Sequence, residues 1–306
     1  MERKKVLRIG VFHDELQRVM DDELQCYSDE EIMEDAALRA QIGAIITRSN
    51  YRISPELLDQ LPMLSIIATA GVGYDGIPVA AARERGIVVT NTPGVLDSAV
   101  CELAVGLLLA MVRKIPAMDQ YVRSGAWKTA PYALTTGLAG KRIGIVGLGR
   151  IGRGIADRLI PFGVEIAYTG REQGVSYGHF SDVQQLAHYA DVLILSCPGG
   201  PATHHLVNAE VLKCLGSEGF LVNVARGSVV DETALAAALQ DGVIRGAALD
   251  VFESEPLIES PLLHQANVVL APHAGSATEE TRRTMLRITL DNIHRVLDGH
   301  EALTPV

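Results

Sequence analysis

The segment RIGIVGLGRIG, residues 142–152, joins a short apolar run to three glycines spaced as G-x-G-x-x-G. A helical pattern follows, and this strand–turn–helix context is the one that the Rossmann dinucleotide fingerprint requires. In such a turn Gly147 permits the tight bend, Gly149 lets a pyrophosphate approach the backbone, and Gly152 allows the helix to pack closely on the strand. An ordinary turn with incidental glycines is the alternative, since the chain has 29 glycines. The predicted dinucleotide loop consists of Gly147, Leu148, Gly149, Arg150, Ile151 and Gly152.

Alternating strand and helix patterns extend from this segment in both directions. The strand candidates are residues 6–13, 43–47, 64–69, 87–90, 142–147, 164–168, 191–197, 220–225, 246–252 and 268–271. Helical patterns between them indicate parallel sheets covered by helices. A long helix at 98–113 should end before Pro116, and Ser276 with Glu279 predicts a capping box for the last helix. We therefore predict an α/β fold with two doubly wound parallel sheets.

Length and composition exclude several classes of protein. The chain has 306 residues, enough for two domains, and its 27 basic and 37 acidic residues give a net charge of −10. Such a charge argues against a nucleic-acid partner, and no apolar run is long enough for a membrane span. The four cysteines form no Cys-x-x-Cys pair, so we expect a reduced, cytoplasmic protein without disulfides. The His204–His205 pair has no ligand-like spacing with acids or cysteines, so we expect no metal and interpret the pair as surface or packing residues.

The end of the strand at 164–168 indicates which dinucleotide binds. NAD enzymes usually place an acidic residue at this tip, where it holds the adenosine ribose. Here the tip reads Thr169-Gly170-Arg171, and an arginine can bind a 2′-phosphate through two hydrogen bonds. This favours NADP over NAD. Two alternatives stay open: Glu172 could take the ribose hydroxyls, with NAD as the cofactor, or Arg171 could be a solvated loop residue.

Charged side chains follow the last three predicted strands. Arg226 comes directly after one strand, Asp250 and Glu255 lie around the end of the next, and His273 follows the last. Ligands of open parallel sheets bind at these carboxyl ends. An arginine can hold a carboxylate and polarise an adjacent carbonyl, and a histidine can donate a proton to a forming alkoxide. A glutamate in contact with that histidine would fix its tautomer and favour its charged form.

Taken singly, each of these residues has an ordinary explanation: a surface salt bridge for Arg226, a solvated acid for Glu255, and a strand-end histidine for His273. Their common position downstream of a dinucleotide fingerprint is what indicates a catalytic site. At the same edge, we expect four more residues to line the cofactor: Cys197, Pro198, Val224 and Ala225.

Ordered motifs over residues 43–306 resemble the D-isomer-specific 2-hydroxyacid dehydrogenases. The matching segments are GVGYD (71–75), VTNTP (89–93), GLGRIG (147–152), NVARG (223–227), LDVFESEP (249–256) and APH (271–273). The resemblance implies that Arg226, Glu255 and His273 are the catalytic residues, with Arg226 and His273 also binding substrate. It further implies that Asp250 contacts the nicotinamide carboxamide.

The same resemblance implies substrate contacts in the first part of the chain. Backbone N–H groups of Val72 and Gly73 would bind the substrate carboxylate, and in some members the position of Arg48 also reaches the substrate. A flavodoxin-like substrate domain would comprise residues 1–97 and 286–306, and a Rossmann domain residues 98–285, with the substrate in the cleft between them. An arm at about 115–140, which contains the only tryptophan, would serve a homodimer or would instead be a plain surface loop.

Within the family, the segment 121–127 and the Arg171 tip are most similar to NADPH-dependent glyoxylate, hydroxypyruvate and hydroxyphenylpyruvate reductases. The 2-ketogluconate reductases are also similar. The resemblance thus implies a reductase that converts a small 2-oxo acid to the D-2-hydroxy acid with NADPH. Two alternatives stay open: a non-catalytic dinucleotide-sensing protein, and a phosphite or formate dehydrogenase. Formate enzymes of this kind carry glutamine in the position of Glu255.

Overall fold

The computed structural model describes residues 4–171 and 176–306. In these residues the strands are β1 (Lys4–Arg8), β2 (Leu24–Tyr27), β3 (Ala44–Thr47), β4 (Ile66–Thr69), β5 (Val88–Thr90), β6 (Arg142–Val146), β7 (Glu165–Thr169), β8 (Gly178–His179), β9 (Val192–Leu195), β10 (Phe220–Asn223), β11 (Gly246–Leu249) and β12 (Val268–Leu270). The helices are α1 (Asp14–Glu23), α2 (Asp29–Glu34), α3 (Ala36–Arg39), α4 (Pro55–Asp59), α5 (Val79–Glu84), α6 (Asp97–Val112), α7 (Ile115–Arg123), α8 (Arg150–Leu159), α9 (Val183–Tyr189), α10 (Ala209–Leu215), α11 (Glu232–Gln240) and α12 (Glu279–Leu297). None of these helices combines the length with the apolar character that crossing a bilayer demands.

The chain divides into two compact units, each with its own sheet. The first joins Met1–Leu96 to Ala277–Val306, and the second is Asp97–Ser276. The predicted crossing near residue 285 lies inside α12, which belongs whole to the first unit. Because a continuous helix leaves no break at that point, the chain passes between the units in the turn before α12.

The first unit is a parallel sheet with the strand order β2-β1-β3-β4-β5. This is the flavodoxin-like order. Alternate residues of the strands enter different cores, as Ile45 and Ile67 do on one side and Ile46 and Ile66 on the other. Both faces of the sheet are therefore buried, which explains the continuous apolar runs in the sequence.

The second unit is a seven-stranded sheet with the order β12-β11-β10-β9-β6-β7-β8. Every pairing in it is parallel. Counted from its own first strand, this is the Rossmann order 3-2-1-4-5-6 with a seventh strand added, and the order reverses between β6 and β9. The prediction of two doubly wound parallel sheets is confirmed.

One local prediction about a helix start was wrong. The side chain that caps α12 is Thr278, which accepts a hydrogen bond from the N–H of Thr281; a capping box of Ser276 and Glu279 does not form. The long helix α6 ends at Val112, before Pro116 as predicted. Pro116 itself lies in the first turn of the next helix, α7, where its missing N–H leaves no hydrogen bond unmade. The predicted arm at about 115–140 therefore begins with helix α7.

Candidate active site

The glycine loop after β6 has the close backbone contacts that the fingerprint requires. Gly147 has φ +92°, and a Cβ on it would lie 2.7 Å from Cα of Cys197. A Cβ on Gly152 would lie 2.2 Å from the carbonyl oxygen of Gly147. A Cβ on Gly149 would meet nothing within 4 Å. Two glycines are thus fixed by packing, whereas the third faces open space where a ligand can approach.

Helix α8 begins directly after Gly149, so its first N–H groups point toward that open space. Such a helix start favours a phosphate through its partial positive charge and its unpaired N–H groups. The hydroxyl of Ser196 donates to the carbonyl of Gly147 at 2.8 Å and so stabilises the turn. The side chain of Arg150 pairs with Asp97 at 2.9 Å. The residues present therefore fit the pyrophosphate of a dinucleotide.

The tip of β7 lies beside this loop. Thr169 accepts a hydrogen bond from the N–H of Gly147 at 2.9 Å, and a Cβ on Gly170 would lie 3.6 Å from the N of Leu148. Arg171 follows with its side chain exposed. The competing ribose ligand of the sequence analysis, Glu172, lies outside the described residues. Arg171 therefore follows a strand tip that lies against the glycine loop, and its contact with a 2′-phosphate stays a prediction.

The predicted lining residues lie at the ends of β9 and β10, close to the point where the strand order reverses. Cys197 is buried, and this burial raises the pKa of its thiol to about 11. Val224 and Ala225 are buried too, while Pro198 is exposed. The backbone of Cys197 lies against the Gly147 turn. Contact with the cofactor stays a prediction for all four residues.

His273 and Glu255 are in direct contact. Nδ1 of His273 lies 2.6 Å from Oε2 of Glu255, whose Oε1 accepts from the N–H of Phe252 at 3.1 Å. His273 has φ +50°, and its N–H donates to the carbonyls of Asp250 and Ala271. With Nδ1 directed at the carboxylate, Nε2 is the ring nitrogen left to exchange a proton.

Arg226 follows β10, between the strand ends that carry the glycine loop and the histidine. Its guanidinium donates to the carbonyl of Ala225 at 2.7 Å, and its stem packs against Gly199, where a Cβ would lie 2.8 Å from Cγ of the arginine. The side-chain amide of Asn223 stabilises this turn. It donates to the carbonyl of Arg226 and accepts from the N–H of Ala225. The turn is thereby rigid at the point where the arginine leaves it.

Gly227 brings the arginine turn against the segment that carries Glu255. A Cβ on Gly227 would lie 1.8 Å from the carbonyl carbon of Phe252 and 2.3 Å from the N of Glu253. Only glycine allows such an approach. The three proposed catalytic residues thus follow three adjacent strands, β10, β11 and β12, and two of their segments touch through the backbone.

Asp250 holds the histidine segment in place. Its carboxylate oxygens accept the N–H groups of Ala274 at 2.6 Å and Gly275 at 2.8 Å. Burial raises the pKa of Asp250, while these two hydrogen bonds and the nearby His273 act in the opposite direction. The structure therefore gives this residue a role in orienting residues 273–275, and its contact with the nicotinamide stays a prediction.

In the first unit, the predicted substrate residues also follow parallel strands. Arg48 comes after β3, and its guanidinium donates to the carbonyl of Val11 at 2.8 Å. Val72 and Gly73 follow β4, and Asn91 donates to the carbonyl of Val72 at 2.8 Å. Within residues 4–171 and 176–306, the N–H groups of Val72 and Gly73 meet no acceptor. They are thus available to an anionic group.

Three side chains near Glu255 were not identified from the sequence. His205, assigned there to surface or packing, has its Nε2 within hydrogen-bond distance of Oε1 of Glu253, and Glu232 accepts from the N–H of Glu253 at 2.5 Å. The acidic residues in LDVFESEP, residues 249–256, and in VDE, residues 230–232, are the signal that could have suggested them. Among the described residues, no cluster of histidine, cysteine or acidic side chains is arranged to hold a metal ion.

Several known proteins are similar to this chain over most of its length. Residues 105–275 match the family model described as D-isomer specific 2-hydroxyacid dehydrogenase, NAD binding domain. The hydroxyphenylpyruvate reductase of Plectranthus scutellarioides is 44% identical over 88% of this chain and 87% of its own length. The 2-ketogluconate reductase of Gluconobacter oxydans is 43% identical over 87% and 86%.

A solved structure is similar over the whole chain. The NADPH-dependent glyoxylate/hydroxypyruvate reductase of Sinorhizobium meliloti, in complex with NADP and malonate, superposes with a TM-score of 0.91 at 40% identity. The similarity covers 100% of this chain and 97% of that one. The chain therefore belongs to the D-isomer-specific 2-hydroxyacid dehydrogenase family.

Proposed function

We propose that this protein reduces a small 2-oxo acid to the D-2-hydroxy acid with NADPH. The observation that carries the proposal is the contact between His273 and Glu255 at the sheet edge that also holds the glycine loop. A histidine held in this way is a proton donor, and the loop fits a dinucleotide. Relatives named glyoxylate, hydroxypyruvate and hydroxyphenylpyruvate reductases support this substrate class.

Each catalytic residue has a distinct task in the proposal. Arg226 holds the carboxylate of the 2-oxo acid and polarises the neighbouring carbonyl. When bound, the reduced nicotinamide supplies a hydride to the carbonyl carbon. His273 gives a proton from Nε2 to the carbonyl oxygen, so that C=O becomes CH–OH. Glu255 keeps Nδ1 of the histidine engaged and stabilises the positive charge on the ring before the transfer.

The first unit supplies the remaining contacts in the proposal. The N–H groups of Val72 and Gly73 receive the substrate carboxylate, and Arg48, which follows β3, selects among side chains of the 2-oxo acid. The placement of N–H groups without acceptors among the described residues supports the first of these roles. The guanidinium of Arg48 also donates a hydrogen bond to the carbonyl of Val11.

The proposal also covers the cellular setting and assembly. Four free cysteines support a reducing, cytoplasmic location. Exposed apolar side chains at Ile115, Val122, Trp127 and Leu134 support a homodimer formed through residues 115–140.

A substrate panel tests the proposal. Purified protein is assayed with glyoxylate, hydroxypyruvate, hydroxyphenylpyruvate and 2-ketogluconate, each with NADPH and with NADH, by the loss of nicotinamide absorbance. We expect turnover of at least one 2-oxo acid and a D-configured product on chiral chromatography. Phosphite and formate, each with NADP⁺, are assayed as alternative substrates. The proposal would be contradicted by turnover of these two substrates alone. It would also be contradicted if the protein bound NADPH but turned over none of the compounds.

A further inference from the structure

His205 connects the two chain segments that carry the proposed catalytic arginine and glutamate. Its backbone N–H donates to the carbonyl of Ser228 at 2.8 Å, two residues after Arg226. Its Nε2 lies within hydrogen-bond distance of Oε1 of Glu253, two residues before Glu255. A single residue outside the proposed site therefore touches both segments.

The backbone of His205 is held in a conformation that residues with a side chain seldom adopt. Its φ is +48°, in the left-handed region, where such a residue persists only if its surroundings fix it. The main chain is fixed by the β-bridge between Val207 and Val230, which begins two residues after His205. The ring is stacked on that of His204, with centroids 4.0 Å apart. These contacts set the direction in which the ring meets Glu253.

Glu253 is held through its main chain as well as its side chain. Its N–H donates to Oε1 of Glu232, at the start of α11, at 2.5 Å. The preceding peptide lies against Gly227, as described above. Glu253 and Ser254 are both exposed, so burial does little to hold this part of the segment. The contacts with His205 and Glu232 are what anchor it.

Glu255 depends on where this segment lies. Its oxygens accept from the N–H of Phe252 and from His273 at 3.1 and 2.6 Å, and such bonds weaken steeply when the geometry opens. We infer that His205 is a positioning residue: by anchoring Glu253 it keeps Glu255 against His273. This inference rests on the reductase function proposed above.

The competing explanation is a solvated hydrogen bond that has no effect on the reaction. The side chains of His205 and Glu253 are each 37% exposed, and exposed pairs commonly contribute little to stability. The two explanations differ in kinetics. If His205 is a positioning residue, its loss should slow the chemical step while the cofactor still binds normally. If the contact has no effect on the reaction, its loss should change neither.

The test compares His205→Ala and His205→Gln with the control His188→Ala, which removes an exposed histidine of α9 in the same unit. Steady-state kinetics use NADPH and the best 2-oxo acid of the panel, and rates are expressed per NADPH-binding site to discount unfolded protein. Because a misplacement of about 1 Å can cost up to ~10²-fold in rate, we expect His205→Ala to lower kcat roughly tenfold. The KM for NADPH should stay unchanged. The glutamine amide can still donate to Glu253, so His205→Gln should recover most of the rate, and His188→Ala should match the unmodified protein.

A mutant cycle with Glu253→Ala shows whether His205 acts through Glu253. We expect the double variant to be no slower than the slower single variant. The inference is overturned if His205→Ala keeps the unmodified kcat, if glutamine recovers nothing, or if the two losses multiply in the double variant. An unmodified protein without reductase activity overturns the proposed function instead, and this is seen before any variant is made.

Discussion

A histidine with positive φ lies at the centre of the proposed chemistry, and its neighbours explain how that backbone is maintained. The N–H of His273 donates to Asp250, whose own carboxylate binds the next two N–H groups along the chain. A left-handed conformation costs a residue with a side chain on the order of 1–2 kcal/mol, and these three hydrogen bonds offset that cost. The strained backbone aims Nδ1 at Glu255. At this scale, the proposed function depends on the geometry of single hydrogen bonds.

We expect Arg226→Lys to reduce kcat/KM for the 2-oxo acid by roughly ten- to a hundredfold, because the ammonium keeps the charge but loses the planar two-pronged donor. The measurement is steady-state kinetics at saturating NADPH. Arg245→Lys is the matched control, since Arg245 pairs with Glu218 on the surface of the same unit. Near-normal activity of Arg226→Lys would remove Arg226 from the substrate site.

Cofactor choice is the second property that depends on one side chain. Arg171→Ala should raise the KM for NADPH by about ten- to a hundredfold, the value of one charge-assisted hydrogen bond to the 2′-phosphate. NADH kinetics should hardly change, because NADH has no such phosphate. Lys213→Ala, which removes another exposed cation of this unit, should affect neither cofactor. If the unmodified protein prefers NADH, the assignment of Arg171 fails and Glu172 becomes the candidate.

At the scale of elements, the sequence predicts best where burial dictates the residue pattern. The strands β3, β4 and β9 are buried throughout, and each was predicted as an apolar run. The helix α1 was not predicted: it is mostly charged and buries only Met20. Strand β2 was not predicted either, because it is a four-residue edge strand that is only partly buried.

In the candidate site too, some residues could be predicted from the sequence and others could not. Strand ends can be located from sequence, and they brought Arg226 and His273 to one sheet edge. The contact of His205 with Glu253 joins residues 48 positions apart. It depends on a left-handed backbone and on the Gly227 crossing, and neither leaves a periodic signal in the sequence.

The crossing at Gly227 is the element-level contact that is most easily tested. In Gly227→Ala, the new Cβ meets backbone atoms that no rotamer change can move. Overpacking of this kind costs on the order of 1–3 kcal/mol, which corresponds to a fall in Tm of several degrees. Activity should fall with it, because the Arg226 turn and the Glu255 segment are forced apart. Gly106→Ala in α6 is the control: its Cβ would enter open space, so the helix should keep or gain stability. Equal Tm values for both variants would contradict the crossing.

Helix α11 provides a prediction about pH through Glu232. Burial raises the pKa of this carboxyl, and the charges of Glu253 and Glu255 raise it further, while the N–H of Glu253 lowers it. A carboxyl with a raised pKa in the folded state stabilises the protein when protonated, below its usual value of 4.5. That stabilisation is lost as the pH rises through the raised value. Glu232→Gln stays neutral and keeps the acceptor oxygen.

The Tm of Glu232→Gln relative to the unmodified protein should therefore increase as the pH rises from about 4.5 towards neutrality. Differential scanning fluorimetry at several pH values measures this difference. Glu259→Gln, at an exposed position, should show no such trend. A difference in Tm that is constant across the whole range would show that Glu232 does not titrate in the folded protein with a raised pKa.

At the scale of the whole molecule, each unit presents its proposed functional residues after the carboxyl ends of a parallel sheet. The proposed site accounts for residues at those ends, but it does not account for residues 115–140. In that arm, the exposed fraction is 50% for Ile115, 55% for Val122, 66% for Trp127 and 97% for Leu134. Several exposed apolar side chains of this size within one short segment are costly to leave in water. A second copy of the chain is the partner that we propose covers them.

The unmodified protein should therefore sediment at twice the 32.8 kDa of one chain at micromolar concentration. Leu134→Asp should shift it towards the monomer, because an unpaired carboxylate buried in an apolar interface loses its hydration without a compensating partner. Met63→Asp is the matched control. Met63 is 62% exposed in the first unit, outside the arm, so its variant should remain dimeric. A monomeric unmodified protein, or a Leu134→Asp variant that stays dimeric, would leave the arm as a surface loop. If Leu134→Asp also loses activity while it still binds NADPH, the second copy contributes to the reaction as well as to assembly.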